Sequence, residues 1–209
     1  IAGIAIGVVI LPQLSKYVQS KKRDKILLIQ NKALELSMFL SLPAFIGLFI
    51  GSEEIISALF GYGSFSKEAV YNSAKALTLF GLGLPAFALI KVFSSFFFAN
   101  HDTKTPFYIS LISVILNIFI SVFYFKSVGF IIIPIATTIS SWFNSIVLFI
   151  SLRNRDLFKF NNIFLKRFIK IILCSITMGI FFKYLIMIFE NQLVYDYNLK
   201  AIYLLFTVI

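Results

Sequence analysis

One lysine and one group of small polar side chains stand where chemistry would be needed to justify them. Lys91 lies inside a long apolar run, about nine residues or ~13 Å of helix from the polar turn that starts at Asn100. An ammonium group at that depth is costly in hydrocarbon and is tolerated when it faces a water-filled cavity or an anion. A snorkelling side chain that reaches the headgroups is the simpler alternative. Lys75 and Lys183 sit nearer to interfaces, where snorkelling suffices, and Lys170 reads as an anchor. The second group is Asn117, Ser121, Thr137, Thr138, Ser140, Ser141 and Asn144. Asn117 and Ser121 are four apart and share one helix face. Oxygen-rich side chains of this kind join apolar helices to one another, and they also suit a small hard cation.

Other chemistry finds no support. His101 is the sole histidine and Cys174 the sole cysteine, so no thiolate or histidine metal site and no disulfide can be assembled. The apolar runs contain no paired carboxylates. Gly81-Leu82-Gly83 lacks the strand–turn–helix context of a phosphate-binding loop and reads as a point of close packing. These residues point to a binding or transport protein, not an enzyme.

The elements that would carry these groups are membrane helices. The chain has 209 residues, 59% hydrophobic and 13% charged, with mean hydropathy +0.94. Soluble domains average about 25% charged residues, so lipid must cover part of this surface. The 26 phenylalanines read as codon bias. A hydrocarbon core of about 30 Å takes about 20 helical residues. That ruler gives seven spans: Ile1–Val18, Ala33–Gly51, Ser73–Ala99, Pro106–Tyr124, Gly129–Leu152, Leu165–Phe189 and Ala201–Ile209. An all-α, polytopic bundle of about seven transmembrane helices follows. Pro12, Pro43, Pro85 and Pro134 fall within spans and are candidate kinks.

Loop charge sets the direction. Lys16 to Lys32 is basic, as is the cluster Arg153, Arg155, Lys159, Lys166, Arg167 and Lys170, whereas Glu53, Glu54, Glu68, Glu190 and Asp196 mark the other loops. Basic loops stay in the cytoplasm, so the first span runs outside to inside and the Asn100–Pro106 turn is inside. The net charge of +10 thereby belongs to topology and anionic lipid, not to nucleic acid. Between the second and third spans, Ile55, Ile56, Leu59 and Phe60 suit a short interfacial helix stopped by Gly61-Tyr62-Gly63. Ser66 is a candidate N-cap, with Glu68 in the following turn. The chain starts and stops inside apolar runs, which reads as truncation at both ends.

Several segments resemble the C-terminal half of the MurJ (MviN) family, lipid II flippases of the multidrug/oligosaccharidyl-lipid/polysaccharide exporter superfamily. They are Gly3-Ile-Ala-Ile-Gly-Val-Val-Ile-Leu-Pro-Gln-Leu-Ser-Lys16, Leu42-Pro43-Ala44, Phe60-Gly-Tyr-Gly-Ser-Phe65, Lys91-Val92-Phe93 with Phe97, and Asp102-Thr-Lys-Thr-Pro106. The resemblance implies one lobe of a fourteen-helix transporter in the bacterial inner membrane. Residues 1–155 would be transport helices eight to twelve, and 156–209 the last two helices, which wall a groove for the lipid tail. It implies alternating access around a cationic cavity for lipid II, with Lys91 as a cavity cation. Some members bind sodium; Asn117 and Thr137 fall at matching positions, while Ser121 stands where a carboxylate is expected. No other cofactor is implied. Implied partners are lipid II, membrane lipids and cell-wall synthesis proteins. The other readings are a related exporter of polysaccharide precursors or drugs, and a non-transporting membrane scaffold for cell-wall synthesis.

Overall fold

In hydrocarbon a backbone must satisfy its own hydrogen bonds, and this chain does so with helices joined by short turns. The computed structural model describes residues 2–189, 193, 195 and 199–208. Ile1, Glu190, Asp196 and Ile209, which bound expected spans or mark a loop, lie outside the described residues. In chain order the helices are α1 (Ala2–Gln19), α2 (Arg23–Phe60), α3 (Lys67–Ala99), α4 (Lys104–Val128), α5 (Ile132–Asn154), α6 (Asn162–Ile188) and α7 (Lys200–Val208), with one 3-10 turn at Gly129–Ile131. Among the described residues four stretches are long and apolar enough to cross a membrane: Arg23–Phe60, Lys67–Ala99, Lys104–Asn154 (which joins α4 and α5) and Asn162–Ile188. These contain five of the expected spans. The first and last expected spans lie outside that set; the helix at the last one, α7, has nine residues.

Both ends of the bundle agree with the loop charges. Helices α1, α3 and α5 finish alike, in a Schellman motif. The amides of Lys22, Asp102 and Leu157 donate to the carbonyls of Tyr17, Phe97 and Leu152. In each motif a non-glycine residue takes the left-handed conformation: Lys21 (φ 55°), His101 (φ 61°) and Asp156 (φ 53°). The three turns meet at one end, where Arg23 donates to the Asp156 carbonyl at 3.3 Å and Arg155 pairs with Asp102 at 2.6 Å. At the opposite end Lys200 donates to the Gly61 carbonyl at 2.6 Å and Tyr195 donates to that of Phe65. The loops assigned to the inside thus contact one another, and so do two of those assigned to the outside.

The segment Lys16 to Lys32, read as a loop, is largely helical. Helix α2 starts at Arg23, and Gln30 and Asn31 are buried. Tertiary partners explain the difference. Asn31 donates to the Lys159 carbonyl at 3.0 Å and accepts from the Asn161 amide at 3.1 Å, while Gln30 donates to the Leu157 carbonyl at 3.1 Å. These bonds tie the 155–161 connection to α2. Phe158 is buried beneath them and meets Phe96 and Phe160 at ring-centroid distances of 5.9 and 4.9 Å. Part of the phenylalanine excess is therefore core.

Helix α2 departs from helical geometry at Gly51 (φ −109°, ψ 22°), eight positions beyond Pro43. The stretch after that break, ending at Gly61, is the short helix expected there. Pro12, Pro43 and Pro85 lie inside α1, α2 and α3. Pro134 is the third residue of α5, where a missing N–H breaks no intrahelical bond. Ser66 caps α3 by accepting from the Ala69 amide at 3.2 Å. Gly81 and Gly83 do permit close packing: an added Cβ would stand 3.3 Å from Leu48 and 3.2 Å from Thr138.

Helix α6 returns to pack on α2 rather than on α5. Two glycines allow this approach: a Cβ at Gly51 would stand 2.6 Å from the Phe182 ring, and one at Gly179 would collide with Ile46. Gly179→Val should therefore lower stability by about 1–3 kcal/mol, the usual cost of overpacking. Reversible unfolding in bicelles measures it, and unchanged stability would show that α2 and α6 are not held at this distance.

The Asp102–Arg155 pair also makes a testable claim. Asp102 accepts from the Thr105 amide at 3.0 Å and hydroxyl at 2.6 Å, which caps the start of α4. These bonds, and then Arg155, lower its pKa from 3.8 to about 2. A depressed carboxylate contributes stability that is complete above the unfolded pKa and is lost as pH falls through the folded one. Protection of the Thr105 amide from hydrogen exchange should thus be retained down to about pH 4 and decline towards pH 2, and Asp102→Asn should abolish that decline. A wild-type protection profile flat across this window would contradict the pairing.

Candidate functional site

Helices α1, α3 and α4 line an open cavity of about 650 Å³ onto which Lys91 faces. Close approach of α1 to α3 makes one wall. The Ser95 hydroxyl donates to the Lys91 carbonyl at 2.9 Å and lies 3.5 Å from the Gly7 carbonyl. A Cβ at Gly7 would come within 2.9 Å of that hydroxyl, so glycine lets α1 sit directly on this turn of α3. The opposite wall is the start of α4, with Pro106, Phe107 and Ser110, and the cavity reaches the inner turn at Thr103. That turn is held by Asp102 and Arg155, so the capped start of α4 also positions the cavity mouth.

Lys91 is exposed and is the one charged residue among those lining the cavity. It has no hydrogen-bond or ion-pair partner in its side chain among the described residues. Ser94, Ser95, Thr103 and Ser110 add hydroxyls, and among the described residues no carboxylate lines the cavity. A cation beside hydroxyl donors, with no competing acid, suits an anionic group such as a phosphate. Lys75, by contrast, rests its ammonium 4.1 Å from the centre of the Tyr71 ring.

The second polar group forms a seam between α4 and α5. Asn117 donates to Thr137 at 3.2 Å and to Ser140 at 3.3 Å. Thr137 in turn donates to the Ile133 carbonyl at 2.8 Å, and Ser140 to the Thr137 carbonyl at 3.0 Å. With those protons engaged, the hydroxyl lone pairs face the Asn117 amide. The set is self-satisfied, as helix-joining groups are. Ser121 is half-buried on the same face of α4 and stays outside the network. Asn144 continues the seam towards Ser110 at 3.4 Å, and Thr138 donates to the Leu79 carbonyl at 2.7 Å. Among the described residues no three His, Cys, Asp or Glu side chains are grouped to hold a metal.

Sequence reasoning missed several paired residues. Glu35 of α2 accepts from Arg167 of α6 through both oxygens, at 3.2 and 3.0 Å. An acid near the start of an expected span and a basic cluster elsewhere are visible in the sequence, but their pairing requires knowing that α6 returns to α2. The role of Asp102 was more accessible, since an acid just ahead of a helix with proline in its first turn is a start signal.

The chain's matches to known proteins agree with this architecture. The family model described as Lipid II flippase MurJ matches residues 1–204. A probable lipid II flippase MurJ of Rhizobium meliloti (strain 1021) is 38% identical over 152 residues, covering 73% of this chain and 28% of the relative. Its counterpart in Buchnera aphidicola subsp. Baizongia pistaciae is 29% identical over 204 residues, covering 97% of this chain and 39% of the relative. The chain thus spans between about a quarter and two fifths of these relatives' length. A solved structure titled Lipid II flippase MurJ, inward closed conformation, superposes with a TM-score of 0.75 at 25% identity, over 100% of this chain and 41% of that one. By its sequence and its helical arrangement, this chain belongs to the MurJ lipid II flippase family.

Proposed function

We propose that this chain forms one lobe of a flippase that moves a lipid-linked diphosphate, lipid II, across the bacterial inner membrane by alternating access. The observation that carries the reading is Lys91, a cation inside an apolar helix with no side-chain partner among the described residues, on the wall of a 650 Å³ cavity whose described lining holds no acid. Such a site attracts the diphosphate, while the hydroxyls of Ser94 and Ser110 provide neutral contacts for a sliding headgroup. Stored binding energy is low with a single cation, which suits a substrate that must leave again.

Residues 1–155 carry the cavity in this reading, and 156–209 serve the lipid tail. Exposed apolar side chains along α6, among them Ile180, Phe181 and Tyr184, are consistent with that division. The Asn117–Thr137–Ser140 seam holds α4 to α5 as a rigid wall. Sodium binding at this point would require the Asn117 amide to turn its oxygen towards the hydroxyls.

In the full-length parent protein, Lys91→Ala should abolish rescue of cells depleted of their own flippase, or reduce it at least about tenfold, as loss of a charge-assisted contact implies. Lys91→Arg should retain partial rescue, and membrane insertion of both should match wild type. Full rescue by Lys91→Ala would remove the lysine from the transport path.

A further inference from the structure

A second cavity lies on the other side of α3. Lys91 and Phe93 are two residues apart, about 200° around the helix, so they face opposite ways. Phe93 lines an apolar slot of about 250 Å³ whose sides are α5 and α6, with Met38 of α2 and Leu89 of α3 as its floor. The slot exists because α6 packs on α2 instead of on α5. Along α5 it runs from Trp142 to Phe149, seven residues or ~10 Å. At its inner end Phe149 and Phe160 also line a second pocket of about 390 Å³, which contains Arg153, Lys159 and Asp156. An apolar channel for a chain therefore opens onto a basic pocket at the level of the inner headgroups. Lys159 and Asp156 stand 3.4 Å apart, with 61% and 71% of their side chains exposed, so that ion pair is weak and open to exchange.

The geometry points to a binding site for one anionic diacyl phospholipid of the inner leaflet, with an acyl chain between α5 and α6 and its phosphate on Arg153 and Lys159. Charge selects this occupant. The slot alone would accept any lipid tail, whereas the basic pocket adjoining it favours a headgroup with net negative charge. Position separates it from the transport path, since Lys91 opens on the opposite face of α3. Arg153 and Lys159 less Asp156 leave one net positive charge, which sets a preference of about five-fold over zwitterionic lipid.

Trp142 is the only tryptophan among the 209 residues. It lines the slot, and its indole is fixed by donation to the Leu82 carbonyl at 3.0 Å. Its fluorescence reports the occupant. The chain is reconstituted in phosphatidylcholine vesicles containing a minor fraction of phosphatidylglycerol. Bromine is placed on the acyl chains of the phosphatidylglycerol in one preparation and on an equal number of phosphatidylcholine molecules in the other. Greater quenching by the brominated phosphatidylglycerol is the expected result. The excess should vanish in Arg153→Gln/Lys159→Gln, while quenching of that variant in fully brominated phosphatidylcholine matches wild type. Equal quenching by the two lipids in the wild-type chain overturns the site, as does an excess that survives the double substitution. Loss of the excess on adding equimolar polyprenyl diphosphate also overturns it, because the slot would then belong to the transport substrate.

Discussion

A few buried hydrogen bonds at the inner end decide how the bundle is put together. Gln30 and Asn31 place their amides beneath the 155–161 connection and satisfy backbone groups of Leu157, Lys159 and Asn161. Without these bonds the buried NH2 groups of Gln30 and Asn31 would carry the cost of desolvation, which favours a connection lying across α2, while the Gln30 Oε1 stays buried without a partner among the described residues. From there α6 can only descend along α2, which it does through the contacts of Gly51 with Phe182 and Gly179 with Ile46. The Arg167–Glu35 pair closes the same interface. Helix α5 is left without α6 as a close neighbour, and the aromatic slot opens between them.

Helix α3 is the axis on which these consequences meet. One side receives α1 at the Gly7–Ser95 contact and displays Lys91 to the polar cavity. The other side places Phe93 and Phe96 in a phenylalanine cluster with Phe158. A single helix thus separates a polar, cationic face from an apolar, aromatic one. The seam between α4 and α5 joins two helices near the polar side without charge. Each such bond is worth only about 0.6 kcal/mol on average, but the ladder from Asn117 to Asn144 repeats it along the helix pair.

Much of this was legible in the sequence. Apolar run length gave the helices, and the alternation of loop charge matched the clustering of turns at the two ends. Lys91 was recognisable because a charge within an apolar run needs a cause. Three things were hidden. The polar stretch before Ala33 looked like loop because its partners are 130 residues away in sequence. The break in α2 falls at Gly51 and not at Pro43, where the missing side chain admits the Phe182 ring. The return of α6 to α2 depends on which small residues face one another, and neither Gly51 nor Gly179 announces its partner. Hydrophobic periodicity is mute on that point where both lipid and neighbouring helices are apolar.

Family membership and a cation facing a cavity both support the proposed transporter lobe with a polar path beside α3. That picture requires water at Lys91. In a Cys174→Ser background, which removes the exposed native thiol, single cysteines at position 91 and at the lipid-exposed position Val122 (72% exposed) can be treated with a membrane-impermeant thiol reagent in sealed and in opened membranes. Reaction at 91 with none at 122 is the expected outcome. A cysteine at 91 that stays as unreactive as one at 122 would place Lys91 in lipid and remove the cavity from the mechanism.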